Sequence, residues 1–345
     1  MRKRKATQMD VAKAAGVSQA LVSLVLSGAP IDVAETTRAR ILAEAQRLGY
    51  ARKPQNPIRQ RLLAYIRPVV TRGHHQEEWI YDAYEQLYDR FQTELVEQAY
   101  QAGYSLMVRP CCDPLELTLW LSQWGFDGVI WHGADPHLAQ WIARRYPMVQ
   151  LNRLTTPEAD AVMPHQEELV TLPLDYLRAK GHSRILFLPA QPLSDPLRKA
   201  HNRAYRDYMK QYGFPDYREL FPQQRDLSVD EMQEALWRAV KLPPARRPTA
   251  LIAGSHQVLR FMKQAEAEGY SNVFSMIGID NVSATAYSTP ALTTIDTRPE
   301  EVARLAVSLL ADRIRDPGRA IQKILVSPLL VERQSVHPVP ATSNP

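Results

Sequence analysis

The sequence predicts an all-α N-terminal head followed by an α/β body whose parallel sheets are covered by helices on both faces. Three observations carry this. Excess positive charge is confined to the first sixty residues, where eleven Lys/Arg face four Asp/Glu, a net +7; the rest of the chain sets 31 against 33, a net −2. Those sixty residues carry helix punctuation and no strand alternation. From residue 62 onward, short apolar runs alternate with amphipathic segments. With 345 residues, 45% hydrophobic and 23% charged, the composition is globular and the length suits two or three domains. No run approaches the ~18 apolar residues of a membrane span. The basic Met-Arg-Lys-Arg-Lys start is followed by no apolar signal core. Cys111 and Cys112 are adjacent and offer no disulfide framework, so a reduced, cytoplasmic protein is expected.

In the head, Thr7-Gln8-Met9-Asp10 reads as a capping box. It opens a short helix with Val11, Ala12 and Ala15 on one face, ended by Gly16-Val17. Ser18 is placed to cap a second helix, Gln19 to Leu26, with Val22 and Leu26 inward; Ser27-Gly28-Ala29-Pro30 breaks it. Asp32-Val33-Ala34-Glu35 reads as another capping box, opening a third helix with Ile41, Leu42, Ala45 and Leu48 buried and Gly49 as its stop. Two short helices joined by a tight Gly-containing turn and braced by a third make a helix-turn-helix unit, whose second helix normally enters the major groove of DNA.

Asp10-Val11-Ala12-Lys13-Ala14-Ala15-Gly16-Val17-Ser18, then Val22-Ser23, Thr37-Arg38 and Leu48-Gly49-Tyr50, resemble the head of the lactose-repressor (LacI/GalR) family. The resemblance implies a sequence-specific transcriptional regulator, usually a dimeric repressor, whose affinity for a near-palindromic operator is set by a small effector. It places Gln19 and Ala20 against bases and Ser18 and Ser23 near phosphates. Chemically, Gln19 suits a bidentate contact to adenine and Ala20 a methyl contact to thymine. The candidate DNA-binding set is Thr7, Ser18, Gln19, Ala20, Ser23, Leu24, Ser27, Arg52, Lys53 and Ile58. Where the family usually reads Thr-Val-Ser-Arg, this chain has Leu21-Val22-Ser23-Leu24, without the arginine. The linker, residues 51–61, lacks the family's Ala-Arg-x-Leu pattern, and Pro54 and Pro57 disfavour a long helix. A basic, semi-extended tether is expected, with Arg52 and Lys53 on phosphates and Ile58 as an apolar wedge.

In the body, strands are expected at Leu62 to Ile66, Leu106 to Arg109, Gly128 to Trp131, Met148 to Leu151, Ile185 to Leu188, Ala250 to Ala253 and Phe274 to Ile279. Helices are expected at roughly 85–102, 114–124, 136–145, 166–180, 197–212, 230–240 and 256–268. Phe126-Asp127-Gly128-Val129-Ile130, Lys180-Gly181-His182-Ser183-Arg184-Ile185, Arg247-Pro248-Thr249-Ala250, Ile277-Gly278-Ile279-Asp280-Asn281 and Leu292-Thr293-Thr294-Ile295 again resemble the family. The resemblance implies two doubly wound lobes of the periplasmic-binding-protein type, crossed three times by the chain. The expected organisation is a head at 1–50, a linker at 51–61, a body at 62–333 that binds effector and dimerises, and a loose tail at 334–345. Lobe 1 takes 62–163 and 293–318; lobe 2 takes 164–290 and 319–333.

Ligands of such sheets sit beyond the carboxyl ends of the strands. Those ends carry Arg67, Arg109, Trp131, His132, Asn152, Gln191, Ser255, His256 and Asp280, and the helix at 197–212 adds His201 and Arg203. From these, Trp131, Asn152, His201, Arg203, Ser255, His256 and Asp280 form the effector-binding set, with Trp131 as platform for a sugar-like ligand. Compared with the family pattern only Asp280 matches outright: His201, Ser255-His256 and His165 stand where other residues are common. A long loop, Val69 to Tyr84, is expected as a lid or interface element. The histidine spacing fits no zinc motif, so neither metal nor cofactor is expected. No G-x-G-x-x-G, P-loop, G-x-S-x-G or H-E-x-x-H is present. The competing reading is a small-molecule-binding protein or enzyme with a degenerate head, for which Leu24 and the altered linker speak.

Overall fold

The computed structural model describes residues 6–26, 33–48, 50, 61–68, 78–110, 113–188, 196–220, 229–270 and 273–339. It divides into two compact units, Met1–Gln60 and Arg61–Pro345. In the head, α1 (Gln8–Ala15), α2 (Gln19–Leu26) and α3 (Glu35–Arg47) enclose Val11, Ala12, Ala15, Val22, Val25, Ile41 and Ala45. The Thr7 capping box is present: Asp10 N–H donates to Thr7 Oγ1 at 3.3 Å and Thr7 N–H to the Asp10 carboxylate at 2.8 Å. Gly16 closes α1 at φ 63, the left-handed region that a side chain would resist. Helix α3 follows Ala34, which makes no side-chain cap; Asp32, the expected cap, lies outside the described residues. One expectation fails. Leu42 is exposed, because Ile41 and Ala45 set the inward face and Leu42 sits about 100° further round the helix.

The body opens with β1 (Leu62–Arg67) and continues through α4 (Glu78–Gln101), β2 (Ser105–Pro110), α5 (Pro114–Gln123), β3 (Gly128–Trp131), α6 (Pro136–Ala143), β4 (Met148–Leu151) and β5 (Asp160–Pro164). It then runs through α7 (Glu168–Ala179), β6 (Ile185–Leu188), α8 (Pro196–Tyr212), α9 (Val229–Val240), β7 (Ala250–Gly254), α10 (Ser255–Ala267), β8 (Ser275–Ile279), α11 (Ala284–Tyr287) and β9 (Thr293–Asp296). Last come α12 (Pro299–Arg315), β10 (Lys323–Val326) and β11 (Leu329–Val331). One sheet has the order β10-β5-β4-β3-β1-β2 and is wholly parallel. The other, β11-β9-β8-β7-β6, is parallel except for its edge strand β11.

Both sheets are buried on two faces, which is why their strands read as unbroken apolar runs. In β1, Leu63 and Tyr65 pack with α4 and α12, while Leu62, Ala64 and Ile66 pack with α5 and α6. In β6, Leu186 and Leu188 face α9 and α10, while Ile185 and Phe187 face α7 and α8.

The chain crosses between lobes after β5, after β9 and after β10, so the expected lobe boundaries shift. β9 belongs to the second sheet, pairing Ile277 with Thr293, not to lobe 1. Residues 319–333, expected whole in lobe 2, carry two strands: β10 pairs with β5 in the first sheet and β11 with β9 in the second. Pro328 between them has no N–H for a ladder and breaks the run. The tail is not loose as far as residue 339. Ser335 is buried, its Oγ donating to Met276 O at 2.6 Å, and Val339 N–H reaches Lys180 O at 3.0 Å. Helix α4 starts at Glu78, so residues 78–84 are helical rather than loop; 69–77 lie outside the described residues.

Candidate functional site

The head offers the start of α2. Ser18 Oγ accepts the Leu21 N–H at 3.2 Å and fixes the first turn, while Ser18, Gln19 and Ala20 are all exposed. Val22 is buried beneath them, and Ser23 is half-buried on the same helix. Thr7 serves α1 as its cap. Ser27, Arg52, Lys53, Ile58 and the Leu24 side chain lie outside the described residues.

In the body, polar residues gather where strands of both sheets end. His132 follows β3 and is buried; Asn152 follows β4 at φ 61; Asp280 and Asn281 follow β8 at φ 88 and 43. Left-handed backbone at non-glycine residues is costly and clusters at binding sites. Burial, helped by the Arg153 cation, pushes the His132 imidazole down to about 3, so the ring is neutral. Asn152 Nδ2 donates to His132 Nε2 at 3.0 Å, which leaves the proton on Nδ1 for the Tyr65 oxygen, also at 3.0 Å. In this arrangement Asn152 Oδ1 is buried with no hydrogen-bond partner among the described residues. Tyr88 and Phe91 of α4 meet the His132 ring edge-on, at centroid distances of 5.4 and 5.0 Å.

Asp280, at the end of β8 in the other sheet, acts electrostatically on Tyr88 of this cluster. Burial pushes its carboxyl up to about 6, the nearby Asp296 adds to the rise, and Arg90 opposes it. Burial likewise raises the Tyr88 phenol, with Arg153 lowering it and Asp280 and Glu85 raising it. Arg90 of α4 ties the lobes together: it holds Glu300 at 2.7 Å and Asp296 at 3.3 Å and donates to Asn281 O at 3.4 Å. Asn281 in turn donates to Asp296 at 2.7 Å and accepts from Arg333 at 2.9 Å. The buried Gln150 shapes the segment carrying Asn152 and Arg153. Its Oε1 accepts the Thr155 and Thr156 N–H groups at 2.7 and 2.8 Å, and its Nε2 reaches Thr156 O at 2.8 Å.

The structure therefore brings together Asn152 and Asp280 from the expected set and adds Tyr88, His132 and Arg153. Trp131 is no platform. It is fully buried among Leu62, Ala64, Leu117 and Leu138, its indole N–H donates to Thr155 at 3.0 Å, and a Cβ on Gly133 would lie 2.3 Å from its ring. Ser255 is structural: its hydroxyl donates to Ile279 O at 2.5 Å beneath Gly278. His201 is buried, bonded to Gln166 Oε1 at 3.0 Å and set edge-on to Phe187, whereas Arg203, two positions on, lies on the exposed side of α8. His256 is buried at the start of α10. Arg109 lies elsewhere, over the Trp120 ring; His165 Nδ1 accepts weakly from Glu168 N–H at 3.4 Å, and Gln191 lies outside the described residues. Arg67 pairs with Glu85 at 2.9 Å. Tyr88 escaped the sequence reading because it sits in an amphipathic helix that looks like packing. Arg153, next to Asn152, had a signal in its position alone.

Residues 7–53 match the model of the bacterial regulatory proteins, lacI family, and residues 174–336 that of the periplasmic binding protein-like domain. The ribose operon repressor of Escherichia coli (strain K12) is 27% identical over 96% of this chain and 99% of its own. Among solved structures, a complex of the transcriptional regulator CelR with cellobiose is similar at TM-score 0.64 and 21% identity, covering 96% of this chain and 99% of that one. A lac repressor dimer bound to operator and an anti-inducer is similar at TM-score 0.63 and 19% identity, covering 97% and 100%. With a lacI-type head followed by a periplasmic-binding-protein-like body, the chain belongs to the lacI family of bacterial regulatory proteins.

Proposed function

We propose that this protein is a homodimeric transcriptional repressor whose hold on a near-palindromic operator is set by a sugar-class ligand in the interlobe cleft. The observation that carries the DNA reading is the exposed Ser18-Gln19-Ala20 start of α2 on a head of net +7. The resemblance in length and order to the ribose operon repressor, the operator-bound lac repressor and the cellobiose-bound regulator supports the pairing of DNA with a sugar. In the cleft, Asp280 and Asn152 Oδ1 supply acceptors for the hydroxyl donors of a polyol. Burying an unmet acceptor costs about 1–3 kcal/mol, which a ligand hydroxyl returns on binding. Ligand and operator affinities are then linked reciprocally, so the ligand shifts DNA binding by as much as DNA shifts ligand binding.

The cleft is read as binding rather than catalytic. Ser255 gives its proton to a backbone carbonyl instead of a base, and His132 is too depressed to act as one near neutrality. Binding to genomic and random DNA fragments across a salt series tests the first half. A site bound about a thousandfold above random sequence is expected; equal affinity for every sequence would return the protein to the class of ligand binders with a degenerate head. A thermal-shift screen of pentoses, hexoses and disaccharides tests the second, because a cleft ligand raises Tm by mass action.

A further inference from the structure

A second polar pocket lies at the opposite, N-terminal end of the second sheet. It is a cavity of about 280 Å³ lined by Arg184, Arg247, His182, Thr249, Ser275 and His337, with prolines on its rim and no Asp or Glu in its lining. Arg184 precedes β6, Thr249 precedes β7 and Ser275 opens β8, so three neighbouring strands deliver these groups to one place. Among the described residues each guanidinium is anchored through Nε alone, Arg184 to Arg247 O at 2.9 Å and Arg247 to Leu242 O at 3.2 Å. Neither has a carboxylate partner among the described residues. His182, 3% exposed, bonds His337 O at 3.0 Å and Thr249 Oγ1 at 2.8 Å. The tail closes one side, with His337 N–H on Ser275 Oγ at 2.9 Å.

We propose that this pocket binds the phosphate group of a small molecule. Two guanidiniums held by their Nε atoms keep terminal N–H groups for an oxyanion, and Arg forks match phosphate geometry bidentately. Phosphate has acceptors enough for both arginines and the adjoining imidazole of His337, whereas a carboxylate fills one fork. The volume falls just short of the ~300 Å³ at which drug-sized ligands begin, which suits phosphate and a small group bearing it. The cations, otherwise without a counter-charge in the lining, are neutralised by the occupant. The site stands independently of the cleft ligand.

The test is calorimetric titration of the full chain with sodium phosphate at fixed ionic strength, chloride replacing it in the control. Saturable binding is expected, about tenfold weaker in Arg184→Gln and in Arg247→Gln, with the His337 imidazole resonances shifting on saturation in the wild type. A parallel titration with ribose 5-phosphate separates free phosphate from an ester: tighter binding that the same substitutions weaken assigns the site to a phosphorylated metabolite. Phosphate binding left unchanged by both substitutions belongs to the basic head and overturns the proposal, as does phosphate binding no better than chloride. If Arg184→Gln does not fold, Arg247→Gln and the His337 resonances in the wild type still decide.

Discussion

Head and body expose their polar chemistry in opposite ways. In the head, Ser18, Gln19 and Ala20 are consecutive, exposed and carried by one turn of helix, so holding them ready costs the fold little. In the body, Tyr88, His132, Asn152, Arg153 and Asp280 come from four separate segments, are buried or half-buried, and include two residues at positive φ. DNA brings its own rigid surface to the head, while a small ligand must be surrounded, and surrounding it means desolvating polar groups before it arrives. Among the described residues, the body therefore stores strain and unmet acceptors where the head stores none.

The sharpest way to break this contrast is Asp280→Ala. Loss of a charge-assisted bond to a ligand hydroxyl corresponds to about 2–3 kcal/mol, so calorimetry is expected to show cleft-ligand affinity falling by roughly a hundredfold. Unchanged ligand affinity would move the site away from β8. On the head, Gln19→Ala is expected to cost about 1–3 kcal/mol at the operator and to relax discrimination at one base pair. Its salt slope should stay that of the wild type, because a base contact releases no counterions; a reduced slope in fluorescence anisotropy would make Gln19 a phosphate contact instead.

The same contrast explains what could be read from the sequence. The helix-turn-helix was legible because its caps, turn glycine and inward residues are contiguous, and Thr7, Gly16 and Ser18 do what their positions imply. The strands of the body were legible as apolar runs. β5 and α12 are missing from the expected elements: Asp160-Ala161-Val162-Met163 begins with a charge that proves to be a buried partner of Arg313, at 2.9 Å. Lobe membership near residues 293–331 depends on pairings across the whole body, which no local pattern encodes. Trp131 misled for a related reason. A strand end marks the height of a residue in the sheet but not its face, and the indole turns into the α5–α6 core. Asn152 and Asp280 were found by that height alone; Tyr88 reaches the site from a helix flank and carries no such mark.

Acidification separates two buried groups of the body. The Asp280 carboxyl, raised from 3.8 to about 6, takes up its proton in the folded state first, so stability rises as pH falls from about 6 toward 4. His132, lowered from 6.5 to about 3, does the reverse: the unfolded chain protonates first and stability is lost as pH falls below about 6.5. The two effects oppose each other between pH 4 and 6. Asp280→Asn removes the first, so its Tm is expected to decline with acid more steeply than that of the wild type. Ligand affinity in the wild type should also weaken as pH drops through about 6, since a hydroxyl donor prefers the ionised carboxylate. Parallel Tm profiles for the two proteins would mean that Asp280 titrates as an ordinary surface carboxyl.

The smallest effects carry the sign of the contrast. Ser18→Ala removes a helix cap and is expected to destabilise the head by about 1 kcal/mol. In the body, Asp280→Gly should be more stable than Asp280→Ala by about 1 kcal/mol, because glycine accepts φ 88 without the clash that alanine keeps. Both variants lack the carboxylate, so their difference isolates backbone strain from buried charge. Equal unfolding midpoints in urea for the two would show that the strand end relaxes freely, and that the strain at β8 belongs to the Asp280 side chain rather than to the frame that holds it.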